Sequence, residues 1–535
     1  MQDPAQQYDE ARQLARDGKA QAAIEALAKL LETNPDNTPA WALMGRQFMQ
    51  LNAFAAALPC FDRVIAAAPT DAGIHIDRGN ALYRSGQTLE AVEAYDRGLA
   101  IDPNLAHAQS NKARLLIELH RPREALAAAN AALARNDGLV QAWRHRGYAE
   151  YCLDLLPQAL ESYDAALARA SGELRADILS DMARPMLCMG RHQEVIGLLD
   201  ESLAAHPLDN QARFRRGEAR LAMHDFAGGW DDYEARWLLS NFSALPVQTL
   251  EHLRGILVRD PTPDDLRGQR VLVVREQGVG DEIMFAGILP DLRAIAASVT
   301  VLCEQRLARI LSHSMPGIEV IPQAGEVKID LGRFDRVVGI GSLGAAFRRD
   351  LAAFSGEPYL RPTPEAAERW WTRLGPKRAR LRIGLSWTGG GARTRRAARS
   401  IPLETLMPLL TRSDCEFVSL QYGDVEAELA RTDAVLARPI TRFPAAELND
   451  FDDLAGLTQA MDVVVTVQTA LCHLAGAIGR PGLVMIPIGA EWRYGAEGDR
   501  MPWYRSLGLL RQTSDGGWPE VIARVGQKLD ALPPD

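Results

Sequence analysis

The first 238 residues carry a helical rhythm of apolar and small positions, broken at regular intervals. Pro35, Pro69 and Pro103 stand 34 residues apart, each after an alanine-rich stretch. Small residues keep register at a second phase (Gly45, Gly79, Ala113, Gly147, Ala183, Gly217) and aromatics at a third (Phe61, Tyr95, Tyr163, Tyr233). Alanines hold a fourth phase at Ala57, Ala91, Ala125 and Ala159. This pattern predicts pairs of antiparallel helices. The small residues let the two helices approach, the aromatic fills the space beside them, and proline closes the second helix because it cannot continue the hydrogen-bond ladder. One pair cannot bury its apolar face alone, so about six or seven pairs must stack, from about residue 5 to residue 238.

Beyond residue 238 the pattern changes. Residues 239–268 read as a connector rich in proline and turn formers, among them Pro246, Pro261 and Pro263. Apolar, β-rich runs then alternate with helical stretches: Val271–Val274, Val299–Cys303, Ile318–Ile321 and Arg336–Val338. A second series comprises Ile383–Trp387, Glu416–Leu420, Val463–Val467 and Leu483–Ile486. Such alternation predicts βαβ units on parallel sheets. The charged helix Pro364–Leu374 and the basic run Pro376–Arg380 separate the two series. The expected architecture is α followed by α/β: a helical solenoid over 1–238, a connector over 239–268, and two Rossmann-like lobes over 269–375 and 376–535 that face a cleft.

Composition changes this picture only at the margins. A formal net charge of -9 argues against general affinity for nucleic acid or anionic membrane, so any phosphate site must be local. The six cysteines show no zinc-ligand spacing and read as small buried apolar residues. The N-terminus lacks the basic-then-apolar order of a secretory signal, and no apolar run reaches the roughly 18 residues of a membrane span. A cytoplasmic protein is the expectation.

Three loops would line the cleft. The first, Val274 to Phe285, turns from a strand into a helix through Gly278 and Gly280, and its free N–H groups would favour an anion. Asp281 and Glu282 follow; acidic residues suit a helix start for structural reasons alone, while the functional reading makes Asp281 a general base. The second loop runs from Trp387, Thr388 and Gly389 through further glycines into Arg393, Arg395, Arg396 and Arg399. Glycine lets the backbone approach a ligand, and arginine offers a planar fork to phosphate oxygens. In the third, a strand breaks at Gln468 into a helix carrying Thr469 and, one turn on, His473.

The repeats resemble the tetratricopeptide repeat, with Trp41 and Trp143 at its leading aromatic position. Such arrays bind extended peptide or a partner protein along a concave face. Asn80 and Asn111 fall at groove phases, with Arg78, Arg114, Arg144 and Arg146 as further donors, although solvated surface charge accounts for these equally well. The second half is similar to the heptosyltransferase-like glycosyltransferases of GT-B fold, in particular members fused to tetratricopeptide repeats, and more distantly to protein O-GlcNAc transferases. The marks are Glu276–Asp281, Gly384–Trp387, Arg399–Leu403, Ser419–Gln421, Asp450–Leu454, Thr469–Gly476, Glu491–Tyr494 and Pro502–Tyr504.

That resemblance implies transfer of a sugar from a nucleotide-sugar donor to an acceptor hydroxyl. It implies Asp281 as base and a donor site in which Thr469 and His473 hold the nucleotide sugar. The acceptor would be Ser or Thr of a protein held by the repeats, with flagellin as one candidate. Gln468 stands where the family has Asp, leaving donor choice open. No cofactor is implied; Asp450-Phe451-Asp452 spells a metal-binding D-x-D but precedes a helix, where Asp caps. A non-catalytic repeat adaptor, or a nucleotide-sugar epimerase or hydrolase, fits the same lobes.

Overall fold

The small-plus-aromatic pairing of the repeats is a packing constraint. A Cβ on Gly45 would lie 2.5 Å from Phe61 Cε1, and one on Gly147 would lie 3.1 Å from the Tyr163 ring. The absent side chain of the first helix thus makes the seat for the ring of the second. A computed structural model describes residues 3–239, 253, 255–325, 329–390, 395–513 and 517–533. Among the described residues six neighbouring pairs of helices pack as hairpins, five in succession from Pro4–Arg16 with Ala20–Thr33 to Val140–Cys152 with Leu156–Leu167, and one formed by Asn210–Ala222 with Phe226–Tyr233.

The first helix of each hairpin, and helix Gly172–Cys188 likewise, is followed by a residue of left-handed backbone, at Gly18, Asn52, Gly86, His120, Asp154, Gly190 and His224. This conformation reverses the chain in a few residues and favours Gly, Asn and Asp. The indole N–H of Trp41 donates to the Pro35 carbonyl at 2.8 Å, and that of Trp143 to the Asp137 carbonyl at 2.8 Å, tying each helix to the turn before it.

The chain divides into two compact units, Met1–Pro185 and Met186–Asp535. The second therefore takes in the last helices of the repeat pattern together with two sheets. The first sheet contains β1 (Leu257–Val258), β2 (Arg270–Val274), β3 (Ser298–Glu304), β4 (Ile318–Gln323) and β5 (Arg336–Gly339) in the order β1-β5-β2-β3-β4, all parallel. The second contains β6 (Leu381–Ser386), β7 (Cys415–Ser419), β8 (Val463–Thr466), β9 (Gly482–Ile486), β10 (Arg500–Met501) and β11 (Tyr504–Arg511). Their order is β10-β11-β9-β8-β6-β7, with only β10 antiparallel. The stretch read as a connector thus contributes a two-residue strand at the sheet edge.

Both sheets reverse their winding once, between β2 and β5 in the first and between β6 and β8 in the second. In open α/β sheets such switch points leave a crevice beyond the carboxyl ends of the strands. The two lobes share one large core, in which Trp230, Phe285, Trp492 and Trp503 interlock at ring separations of 5.5–6.5 Å. Helix Pro364–Leu374 packs on helix Phe451–Gln459, where a Cβ on Gly456 would lie 2.8 Å from the Ala366 backbone.

Candidate functional site

The turn after β2 leads through Gly278, the N-cap residue, into helix Val279–Ala286. The turn after β8 leads through Gln468 and Thr469, again an N-cap, into helix Ala470–Ala477. These helix starts abut: a Cβ on Gly280 would lie 3.3 Å from His473 Cδ2 and 3.4 Å from Ala470 Cα. The turn after β6 joins them, since a Cβ on Gly389 would sit 2.7 Å from the Gln468 carbonyl and 3.3 Å from Thr469 Cγ2. Both switch points thus meet, and glycine at 280 and 389 permits it.

A run of charges occupies the meeting place. Asp281 accepts from Arg493, whose other nitrogen lies 3.3 Å from Glu491. Glu491 pairs at 2.8 Å with Arg399, which also donates to the Gln468 carbonyl at 3.1 Å. Burial pushes the Asp281 carboxyl above its ordinary range against the pull of Arg493, and nearby Glu491 adds to the rise. Glu491 stays below its ordinary range: burial opposes it, but Arg493, Arg399 and Arg395 outweigh burial. Several buried polar atoms here have no hydrogen-bond partner, namely Gln468 Oε1 and Nε2, Arg399 Nε and Arg493 Nε. Gln468 is 1% exposed. Leaving such a group unpaired costs on the order of 1–3 kcal/mol, which a polar ligand would offset.

The other residues singled out from the sequence divide by use. Gln421 is saturated: its Oε1 accepts from Ser386 Oγ, Trp387 N and Thr388 N at 2.9–3.0 Å, and its Nε2 donates to the Thr388 and Tyr422 carbonyls. It therefore braces the β6 turn. Trp387 is fully buried in the second lobe, its indole N–H 3.0 Å from Glu428, so its ring faces the core. His473 is enclosed between the hydroxyls of Tyr504, 3.3 Å from Nδ1, and Tyr494, 3.4 Å from Nε2. Burial holds its pKa well below the ordinary histidine value, with Arg493 and Arg399 acting in the same sense.

Of the arginine loop, Arg393 lies outside the described residues, Arg396 is exposed, and Arg395 donates to the Cys188 carbonyl from a left-handed backbone (φ 50°). Arg399 is the member of that run that reaches the convergence. Arg399 was read from the sequence as one of the loop's phosphate-facing arginines, whereas Glu491 and Arg493 were visible only as marks of resemblance, without a role. Asp450 caps helix Phe451–Gln459, while buried Asp452 accepts from Thr363 N and Oγ1 at 2.8 and 2.6 Å and pairs with Arg309 at 3.0 Å.

In the first unit a groove of about 500 Å³ is lined by Asn111, Arg114, Arg144, His145, Tyr148 and Asp181. Several of the donors read as groove residues pair internally: Arg78 with Asp62, Arg144 with Asp181, and Arg146 with Glu150. Asn80 accepts from the Tyr95 hydroxyl. Arg114 lies over the Tyr83 ring, 4.4 Å from its centroid.

Comparison with known proteins sets these features in context. Tetratricopeptide-repeat models match residues 14–76, 72–105 and 110–173. Protein FlbA of Caulobacter vibrioides (strain ATCC 19089 / CIP 103742 / CB 15) is 30% identical over 334 residues, 59% of this chain and 54% of FlbA. The chain thus spans about half the length of that relative, and a 59% share exceeds what residues 1–238 of 535 could supply alone. Among solved structures, a crystal structure of MamA protein shares 19% identity over 31% of this chain and 91% of its own, with a TM-score of 0.30. YrrB, described as a tetratricopeptide-repeat protein with an unusual peptide-binding site, shares 18% identity over 35% of this chain and 96% of its own, with a TM-score of 0.32. No helix among the described residues is long and apolar enough to cross a membrane. The chain is therefore an N-terminal tetratricopeptide-repeat solenoid followed by an α/β part with parallel sheets, and it is similar to FlbA.

Proposed function

We propose that the α/β part is a glycosyltransferase of GT-B type, moving a sugar from a nucleotide-sugar donor to a hydroxyl of a protein that the repeats hold. The observation that carries the reading is the meeting of two switch points at Asp281, Arg493, Glu491 and Arg399, beside the unpaired amide of Gln468. The start of helix Ala470–Ala477 and the Arg399 guanidinium would stabilise charge on the departing diphosphate. Asp281, its pKa raised by burial, would take the acceptor proton once the incoming substrate displaces Arg493 from it. Gln468 would bind the donor with a neutral amide that both donates and accepts. The repeats support a protein partner, and the resemblance to repeat-fused transferases makes flagellin the candidate acceptor.

The test is a melting-temperature screen with UDP-, ADP- and CMP-linked sugars, followed by turnover with the stabilising donor. One donor should raise the melting temperature through binding to the folded state. Asp281→Ala should retain that shift while turnover falls roughly 10²–10⁴-fold. A screen in which no nucleotide sugar stabilises the protein, or near-normal turnover of Asp281→Ala, overturns the reading.

A further inference from the structure

The loop that carries Asp281 is bolted to the end of the helical repeats by a buried charge network that the proposed chemistry does not use. Arg236, in the 3-10 turn Glu234–Leu238 that follows the last hairpin, is 0% exposed. Its Nε donates to Glu276 Oε2 at 2.7 Å, its Nη1 to Glu234 Oε1 at 2.5 Å and its Nη2 to Ser342 Oγ at 2.7 Å. Ser342 in turn donates to Glu234 Oε2 at 2.8 Å. The second oxygen of Glu276 accepts the Gly341 N–H at 2.8 Å, just beyond β5, and a Cβ on Gly339 would lie 2.0 Å from that oxygen. One residue further on, the Gln277 amide donates to the Tyr233 hydroxyl. Glu276 and Gln277 are the residues between β2 and the turn into Asp281, so the loop is gripped on both sides of the first switch point.

A buried arginine between two carboxylates is an expensive way to fill space, because desolvation consumes most of the Coulombic gain and apolar residues of the same volume would serve stability as well. What the triad supplies is direction: three guanidinium nitrogens fix three acceptors at set angles. We infer that Arg236 and Tyr233 are positioning residues, through which the end of the repeat array sets the Glu276–Asp281 loop in the geometry that presents Asp281. The repeats are then part of the site's framework as well as a docking arm. The role assigned to Asp281 rests on the function proposed above; the grip on its loop does not.

Tyr233→Phe and Glu276→Gln test this, since each keeps shape and packing while removing one grip. Hydrogen exchange of residues 275–282 should quicken at least tenfold in both, with the melting temperature within a few degrees of the parent and the strands of both sheets still protected. With the donor identified in the melting screen, turnover should fall at least tenfold while donor affinity stays within about twofold. Arg236→Lys should recover less than half of what Arg236→Met loses, because an ammonium cannot hold three acceptors in one plane. Parent-like loop exchange in both Tyr233→Phe and Glu276→Gln overturns the inference, as does loss of protection spread evenly over the sheets. If the parent binds no nucleotide sugar, the proposed function fails, and loop exchange alone still decides the positioning role.

Discussion

The two units bury their apolar residues in different ways. In the repeat unit each core cluster is drawn from neighbouring hairpins: one spans Ala11 to Cys60, another Ala42 to Ala81, a third Leu82 to Ala149. In the second unit the largest cluster gathers residues from Leu221 to Leu509, joining the last hairpin to both sheets, beside two smaller clusters that run from Trp237 to Val337 and from Leu381 to Leu529. The first arrangement is stabilised by a sum of nearest-neighbour terms, the second by contacts between residues far apart in sequence. A site that needs several side chains fixed to a fraction of an ångström belongs in the second kind of structure, and the Asp281–Arg493–Glu491–Arg399 run lies there. The first kind suits a groove that must fit an extended partner.

The largest expected effect tests that contrast directly. Trp230 is fully buried, its indole N–H bonded to the Arg348 carbonyl at 2.8 Å and its rings against Phe285 and Trp492. Trp230→Ala should cost about 3–5 kcal/mol and raise hydrogen exchange in the strands of both sheets together. Tyr95→Ala removes an aromatic of similar burial, seated near Gly79. Its cost should fall in the same range, yet exchange should rise only in the hairpins between residues 38 and 152. If Tyr95→Ala loosens every repeat equally, or Trp230→Ala leaves one sheet protected, the distinction between local and global cores fails.

The same contrast governs what the sequence could reveal. A period of 34 is a local signal repeated, so the hairpins and their glycine–aromatic seats could be read directly. The left-handed residues at 18, 52, 86, 120, 154, 190 and 224 repeat in nearly the same register and are mostly Gly, Asn or Asp; turn chemistry at that phase was the missed cue. Apolar runs located β2 to β9. They did not locate β1, two residues long, or β11, where Tyr504–Arg511 mixes polar residues and Gly508 into the strand. The site was half legible. Glycine turns after β2 and β6, and the strand-to-helix break at Gln468 and Thr469 after β8, marked the loops, but nothing local shows that Arg399 reaches Glu491, 92 positions on, or that Arg493 reaches Asp281, 212 positions back. Trp387 belongs to one of those loops and Gln421 to a stretch that marks the resemblance, yet their side chains are spent on the core and on bracing the turn.

Proton linkage offers a second, smaller way to separate the units. His145, in the groove of the repeat unit, is held down to about 4 by burial, with Arg144 and Arg114 adding to the effect. Its unfolded value is 6.5, so its contribution to stability is present above 6.5 and is lost as pH falls towards 4. Glu234 runs the other way: burial raises it from 4.5 to about 7 despite Arg236. Its contribution is present below 4.5 and is lost as pH rises through about 7. Each term is no more than about 3 kcal/mol. Denaturant unfolding at several pH values should show that His145→Gln relieves the acid-side loss in the repeats, and that Glu234→Gln relieves the loss between 4.5 and 7 in the sheet-bearing unit. Parallel pH profiles for parent and variant would remove that residue as the source.

The smallest effect is a pair of identical substitutions with opposite sign. Gly197 lies in helix His192–Ala205, where a Cβ would meet nothing within 4 Å. Gly197→Ala should therefore stabilise by roughly 0.5–1 kcal/mol, because alanine loses less backbone entropy in a helix. Gly217 lies in helix Asn210–Ala222, where a Cβ would press within 2.7 Å of the Tyr233 N and 3.0 Å of the Gly229 carbonyl. Backbone cannot swing aside as a side chain can, so Gly217→Ala should cost about 1–3 kcal/mol by driving the two helices of the last hairpin apart. Tyr233 also receives the Gln277 amide, so that separation should reach the loop of Asp281. Calorimetric melting of the two variants decides the matter. A rise for Gly197→Ala alone means that only the glycines in phase with the aromatics are there for close approach, whereas a neutral Gly217→Ala would mean that the last hairpin is loose enough to yield and grips nothing.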